Sequence, residues 1–334
     1  MDSLTRTLPA SWFCSAPLYE LERRAVFLKS WHFLGPVTRF QNRSEAIRYE
    51  IAQVTIIVEN KAPESSGINI DGIVVYAEEK GREIKSHLTP SGLVFATLSL
   101  EAPSFEEYFA GLEELTNKVD FTKLPHRRSI SYEGNFNWKT MIDGYQECLH
   151  CQYTHPSFSK FYPPTFYSVT NHQTFSQHIA DPSKPNDGLF LYFFPICTLN
   201  VSTLTRLWRT GGGMSSFRTL PTDKPGVSRM EFDYYHSGSE EEFKEYYEFV
   251  RQVALEDFEL CEKAQQNLER GVYGEGILNP RKENGVVFYQ RRVRECVYEQ
   301  FEKEKKAREK EDLVKGKVGM VGVDEGGAKV VEVM

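Results

Sequence analysis

Apolar and charged positions recur at near-helical spacing in residues 16–31, where Leu18, Tyr19, Leu21, Ala25, Val26, Phe27 and Trp31 stand among Glu20, Glu22, Arg23, Arg24 and Lys29. This predicts an amphipathic helix early in the chain. Between residues 46 and 100 the pattern changes to short β-rich runs, 54–58, 73–76 and 93–98, cut by turn signals at Ser65-Ser66-Gly67 and Pro90-Ser91-Gly92. A small, incomplete β subdomain is expected there. Residues 105–119 read as an acidic helix, 129–132 as a strand, and 138–150 as a second helix. Pro156, Pro163, Pro164 and Pro182 interrupt residues 153–185, which predicts a functional loop or lid.

Strands at 190–194, 198–203, 216–220 and 228–236 suit a mostly antiparallel sheet, followed by a long helix at 240–270 and a closing strand at 285–292. Beyond residue 301 the composition turns to Glu, Lys and Arg and then to Gly and Val, predicting a solvated helix and a disordered tail. The pattern divides the chain into an N-terminal helical segment (1–45), a β part (46–100), a main α+β domain (101–300) and a charged tail (301–334).

The chemistry concentrates in the 138–150 helix and just after it. Asp143, Glu147 and His150 follow one another at steps of four and three, so a continuous helix presents them on one face. His155 comes five residues after His150, about 140° further round such a helix. Pro156 biases His155 away from the α region, so the helix is expected to end between the two histidines and let both reach one metal ion. Two imidazoles and one carboxylate make the facial arrangement that suits Fe(II). Asp257, beside the apolar stripe Leu255, Phe258, Cys261 and Ala264, is the candidate carboxylate; spacing leaves Glu256, Glu259 and Glu262 open as well. On spacing alone, two such histidines are as often packing residues as ligands.

Composition narrows the partners. With 40% hydrophobic and 26% charged residues the chain is that of a globular protein, and a net charge of −7 provides no basic field for nucleic acid. Six scattered cysteines suit a reducing compartment rather than a secreted disulfide framework. The N-terminus shows no apolar leader, and the longest apolar run, 188–201, is interrupted by Pro195 and too short to span a bilayer, so a cytoplasmic protein without membrane contact is expected.

The chain resembles the catalytic subunits of Rieske-type non-haem iron oxygenases, especially the choline monooxygenase-like and fungal members. The resemblance rests on Leu8-Pro9-Ala10-Ser11-Trp12-Phe13, on residues 19–27 with Ser30-Trp31, on Asn137-Trp138-Lys139 through His150 to His155-Pro156, and on Glu256-Asp257 onward to Gly276-Ile277-Leu278. It implies a helix-grip (START-like) catalytic domain with an antiparallel sheet and a long helix, and His150, His155 and Asp257 as ligands of a mononuclear Fe(II). Glu147 would match the acidic position that links an iron histidine to a neighbouring subunit's cluster, and Asp143 a second polar position near the metal.

One departure is large. A Rieske centre needs two cysteines and two histidines, which the family supplies as C-x-H and C-x₂-H. Here the one C-x-H is Cys148-Leu149-His150, and residues 60–85 hold neither Cys nor His. The β part therefore reads as a truncated Rieske remnant, with no [2Fe-2S] cluster expected. The expectation is an Fe(II)-dependent oxygenase or oxidase that uses O₂ on a small organic substrate, fed by an external reductant or electron-transfer protein, alone or as a homo-oligomer. Mono-oxygenation, dioxygenation, desaturation and a redox-neutral step stay open. The alternative is an accessory subunit that binds a small molecule.

Overall fold

The computed structural model describes residues 5–42, 45–62, 72–181, 188–202 and 212–320. The turn expected at Ser65-Ser66-Gly67 and the tail beyond residue 320 lie outside them, as do residues 182–185 of the expected lid.

Among the described residues, three antiparallel sheets carry the fold. The first joins β1 (Trp31–Pro36), β7 (Leu93–Thr97) and β6 (Lys85–Leu88) in that order, and the second runs β2 (Ile47–Ile51), β3 (Val54–Asn60), β4 (Ile73–Ala77), β5 (Arg82–Glu83). The third has seven strands: β8 (His126–Gly134), β14 (Ser228–His236), β13 (Gly213–Pro221), β12 (Cys197–Ser202), β11 (Gly188–Phe193), β10 (Phe175–Ile179) and β9 (Ser168–Asn171). Tyr49, Arg218 and Asp233 tie the sheets together. Arg218 pairs with Asp233 across β13 and β14 (2.7 Å), lies over the Tyr49 ring of β2 and donates to the Leu34 carbonyl of β1.

The long helix, Glu240–Glu269, opens with a capping box between Ser239 and Glu242. It lays Phe243, Tyr246, Ala254 and Cys261 against Met230, Phe232 and Tyr234 of β14 and against Phe136 and Met141. Burial of these apolar groups on a single face fixes how the helix sits on the sheet. No described helix is long and apolar enough to cross a membrane.

Four expectations change. The early helix stops at Phe27, its last turn wound as a π-helix, and Trp31 opens β1 instead. The acidic 105–119 segment is two one-turn helices separated by Gly111, which takes a φ of 83°. The expected lid contains two helical turns, Cys151–Thr154 and Pro156–Ser159, and then β9 and β10. The closing strand is the start of a helix, Asn284–Met320. Its apolar run imitates a strand locally, yet the buried positions Val286, Tyr289, Val293 and Val297 follow the helical period.

This last helix comes close to the metal motif. A Cβ added at Gly285 would lie 2.4 Å from the backbone oxygen of Gln146, so only glycine fits. Gly285→Ala is expected to destabilise the fold by about 1–3 kcal/mol through forced displacement of the 146–150 turn, measured as a lowered urea midpoint.

Candidate metal centre

The motif helix runs Trp138–Tyr145, five residues shorter than its sequence pattern suggests. Asn137 caps it, its side chain accepting from the Lys139 amide while its Nδ2 donates to the carbonyls of Phe13 and Pro225. The helix ends because Glu147 gathers the next turn around its own side chain: the Leu149 amide donates to Glu147 Oε2, and His150 Nδ1 is bound by Glu147 Oε1. Asp143, Glu147 and His150 therefore do not share one helical face. His150 instead precedes the short helix Cys151–Thr154 and His155 follows it, outside the helical region at φ −120° and ψ 65°, before Pro156. The turn does what the spacing required by a different path.

His155 Nε2 lies 2.9 Å from Asp257 Oδ1 and 3.2 Å from His150 Nε2, and His150 Nε2 lies 3.4 Å from Asp257 Oδ1. His155 Nδ1 donates to Glu256 Oε2 at 2.8 Å. Each imidazole thus has its Nδ1 tied to a carboxylate, which turns both Nε2 atoms toward Asp257. Three such atoms facing one another call for positive charge between them, which a proton on an imidazole supplies in the metal-free protein and a metal cation could supply in its place. An octahedral face with bonds of ~2.1 Å has edges of about 3 Å, close to the three separations found, so the donor set suits a divalent ion such as Fe(II).

Charge points the same way. Burial presses the His150 imidazolium toward neutrality, but the Asp257 and Glu147 carboxylates outweigh it and raise its pKa to about 10. Burial likewise pushes Asp257 up, and the two histidines more than reverse this, holding its carboxyl below the usual range.

The structure separates the four acids that spacing left open. Asp257 faces both Nε2 atoms, Glu256 backs His155, Glu262 binds the Asn135 amide, and Glu259 pairs with Lys263 on the surface. Asp143 is held by the Tyr289 hydroxyl and the Gln290 amide rather than by the histidines. Burial raises its pKa to about 7. Tyr289 and Gln290 escaped the sequence reading because the strand pattern assigned there hid which face of that segment looks inward.

Two cavities meet at this cluster. One, of about 190 Å³, is walled by Phe158, Tyr162, Phe190, Phe217, Tyr246 and Phe249. The other, of about 430 Å³, lies among Phe13, Leu260, Leu268 and Asp143. Glu147, His150 and Asp257 line both. At the aromatic cavity's polar edge, Tyr145 donates to Asn200 Oδ1 (2.7 Å) and the Tyr167 hydroxyl binds His178 Nδ1.

His178, which no motif singles out, is buried and its pKa falls to about 3; His32, also buried, falls to about 4. The unfolded chain takes up protons at these two positions below the ordinary histidine pKa of about 6.5, while the native protein does not. Their contribution to stability is complete above that value and is lost as pH falls from about 6.5 toward 4, at up to ~2–3 kcal/mol per pH unit for both together. Urea denaturation from pH 7 to pH 4.5 checks this.

The chain's likeness to known proteins matches this arrangement. The family model "Ring hydroxylating alpha subunit (catalytic domain)" matches residues 121–188 and 203–299. The carnitine monooxygenase oxygenase subunit of Escherichia coli (strain K12) is 25% identical over 332 residues, covering 81% of this chain and 86% of that protein. The glycine betaine monooxygenase oxygenase subunit of Pseudomonas aeruginosa is 19% identical over 196 residues, 46% of each chain. Among solved structures, a quaternary ammonium Rieske monooxygenase in complex with L-carnitine has a TM-score of 0.69 at 19% identity, covering 88% of this chain and 96% of that one. Naphthalene 1,2-dioxygenase from Rhodococcus has a TM-score of 0.61 at 14% identity, with 87% and 94% covered. These structures share the fold. Across residues 121–188 and 203–299 the chain is thus similar to the catalytic domain of ring-hydroxylating alpha subunits, and the relatives it matches are oxygenase subunits.

Proposed function

We propose that this chain is a mononuclear Fe(II)-dependent oxygenase for a small organic substrate, with His150, His155 and Asp257 as the iron ligands. The observation that carries this reading is the convergence of three acceptor atoms, 2.9–3.4 Å apart, at the head of an aromatic cavity. Bound there, Fe(II) would supply O₂ activation while leaving coordination positions for O₂ and substrate.

The chain's own residues do the positioning. Glu147 and Glu256 hold the two imidazoles in the tautomer that turns Nε2 inward. Phe158, Tyr162, Phe190 and Phe249 exclude water, and their ring faces suit a quaternary ammonium group or a flat ring. The relatives named for carnitine and glycine betaine support the first of these.

The catalytic fold is read as helix-grip, and residues 46–100 as a Rieske-type remnant without cluster ligands. No [2Fe-2S] cluster is assigned to this chain, because its single C-x-H lies inside the metal motif. Electrons then have to come from outside the classical cluster.

The test is anaerobic Fe(II) titration of the wild type and His150→Ala, followed by O₂ uptake with L-carnitine, glycine betaine and a panel of aromatic acids and amines. The wild type is expected to bind one Fe(II) and consume O₂ with at least one of these; His150→Ala is expected to do neither. Equal iron affinity in the two proteins would remove the site assignment, and tight binding without O₂ uptake would favour an accessory binding role.

A further inference from the structure

We propose that Cys148 and Cys151 form a two-electron redox couple that feeds the His150–His155–Asp257 site. This inference rests on the iron reading above.

The two cysteines are joined as a disulfide, with their Cα atoms 5.1 Å apart. That backbone separation lies within the usual range for a disulfide and needs no movement of the chain. Both are buried, and both line the same cavity as His150, His155 and Asp257. They also bracket His150 in the chain, Cys148 two residues before it and Cys151 next to it. Two residues of chain span at most ~7 Å, so the couple cannot sit far from the first histidine.

The same turn binds the second histidine: the Cys151 carbonyl accepts from the His155 amide at 2.9 Å and from the Ser159 hydroxyl at 2.7 Å. The other four cysteines, Cys14, Cys197, Cys261 and Cys296, are single free thiols. Only the 148/151 pair can take up and release two electrons together. The turn also reaches the surface, where Tyr153 is 82% exposed and Leu149 39%.

The electron balance closes. Two S–H bonds break and one S–S bond forms, releasing two electrons and two protons to O₂. With a substrate C–H bond present, one oxygen atom enters that bond and the other leaves as water. Without substrate, the same electrons and protons yield hydrogen peroxide. An external dithiol restores the pair by thiol–disulfide exchange and is itself oxidised to a disulfide. The couple thereby supplies the two electrons that oxygenation requires without an iron–sulfur cluster in this chain.

The test reads thiols rather than turnover. The whole protein is reduced anaerobically with a phosphine, freed of reductant, and divided into Fe(II)-loaded, Zn(II)-loaded and metal-free samples. Each is exposed to O₂ without substrate, alkylated at intervals and mapped by peptide mass, with peroxide measured in parallel. The Fe(II) sample is expected to lose two thiols, both in the Cys148–Cys151 peptide, with one peroxide formed per pair and at least about tenfold faster than the other two samples.

Equal rates of pair oxidation in all three samples would overturn the proposal, as would Fe(II)-dependent loss confined to other cysteines. Metal binding, measured in the same samples before exposure, separates the two levels. A wild type that takes up no Fe(II) fails the iron reading itself, whereas tight Fe(II) binding with metal-independent thiol loss fails only the redox couple. Cys148→Ser adds an independent arm: in a variant that retains Fe(II) binding, peroxide formed at the wild-type yield and rate would also overturn the proposal.

Discussion

Asp257→Asn is expected to lower Fe(II) affinity by at least about 100-fold, because carboxylates that merely back a metal histidine cost 10–100-fold when removed and Asp257 does more than that. It is the acid that faces both Nε2 atoms. Its neighbour provides the comparison. Glu256→Gln leaves the three facing atoms in place but weakens the hold on His155 Nδ1, so its loss is expected to fall within roughly 10–100-fold. Glu147→Gln should behave like Glu256→Gln, since it plays the same part for His150. Glu259→Gln and Glu262→Gln are expected to change nothing, one acid being paired with Lys263 and the other with Asn135. Anaerobic competition against a chromogenic chelator reads all five. A greater loss in Glu256→Gln than in Asp257→Asn would exchange the roles of the adjacent acids.

Lys139→Met is expected to destabilise the protein by about 3–5 kcal/mol, the cost of leaving a buried charge without its partner. Lys139 Nζ lies 2.8 Å from both oxygens of Glu22, and neither side chain has any exposure. Trp138 Nε1 donates to the same carboxylate at 3.1 Å. The pair fastens the N-terminal helix to the second residue of the motif helix, so its rupture should also loosen the metal turn. Glu22→Leu combined with Lys139→Met removes both charges, and its loss is expected to be much smaller than that of Lys139→Met alone. Urea denaturation of the two variants checks this; equal destabilisation would mean that packing volume, rather than the unpaired charge, sets the cost.

Much of the fold was legible from periodicity. The strand read at 228–236 and the long helix read from residue 240 are found almost as read, and the strand read at 198–203 is found at Cys197–Ser202 among the described residues, because β-rich apolar runs and one long amphipathic stretch each carry their own signal. The misread segments are those whose local pattern competes with a contact elsewhere. Gly285-Val286-Val287-Phe288-Tyr289 looks like a strand over five residues, and only its continuation to Val293 and Val297 shows the helical face. The motif helix stops early for a similar reason: the side chain of Glu147 captures the Leu149 amide and His150, a contact that helix propensity does not describe.

By itself the sequence determined which residue types were at hand for a metal: two histidines either side of a break marked by Pro156, and an acid pair at Glu256-Asp257. It determined this because the chemistry of imidazole and carboxylate, and the backbone limits that proline imposes, are properties of the residues themselves. The tertiary structure alone decided which acid of the pair faces the histidines and which stands behind one of them. It also decided that Asp143 answers to Tyr289 and Gln290, and that Cys148 and Cys151 meet beside His150. Those outcomes depend on side chains brought together from elements as many as 147 residues apart, or on a turn whose path a neighbouring carboxylate sets. No local spacing records either.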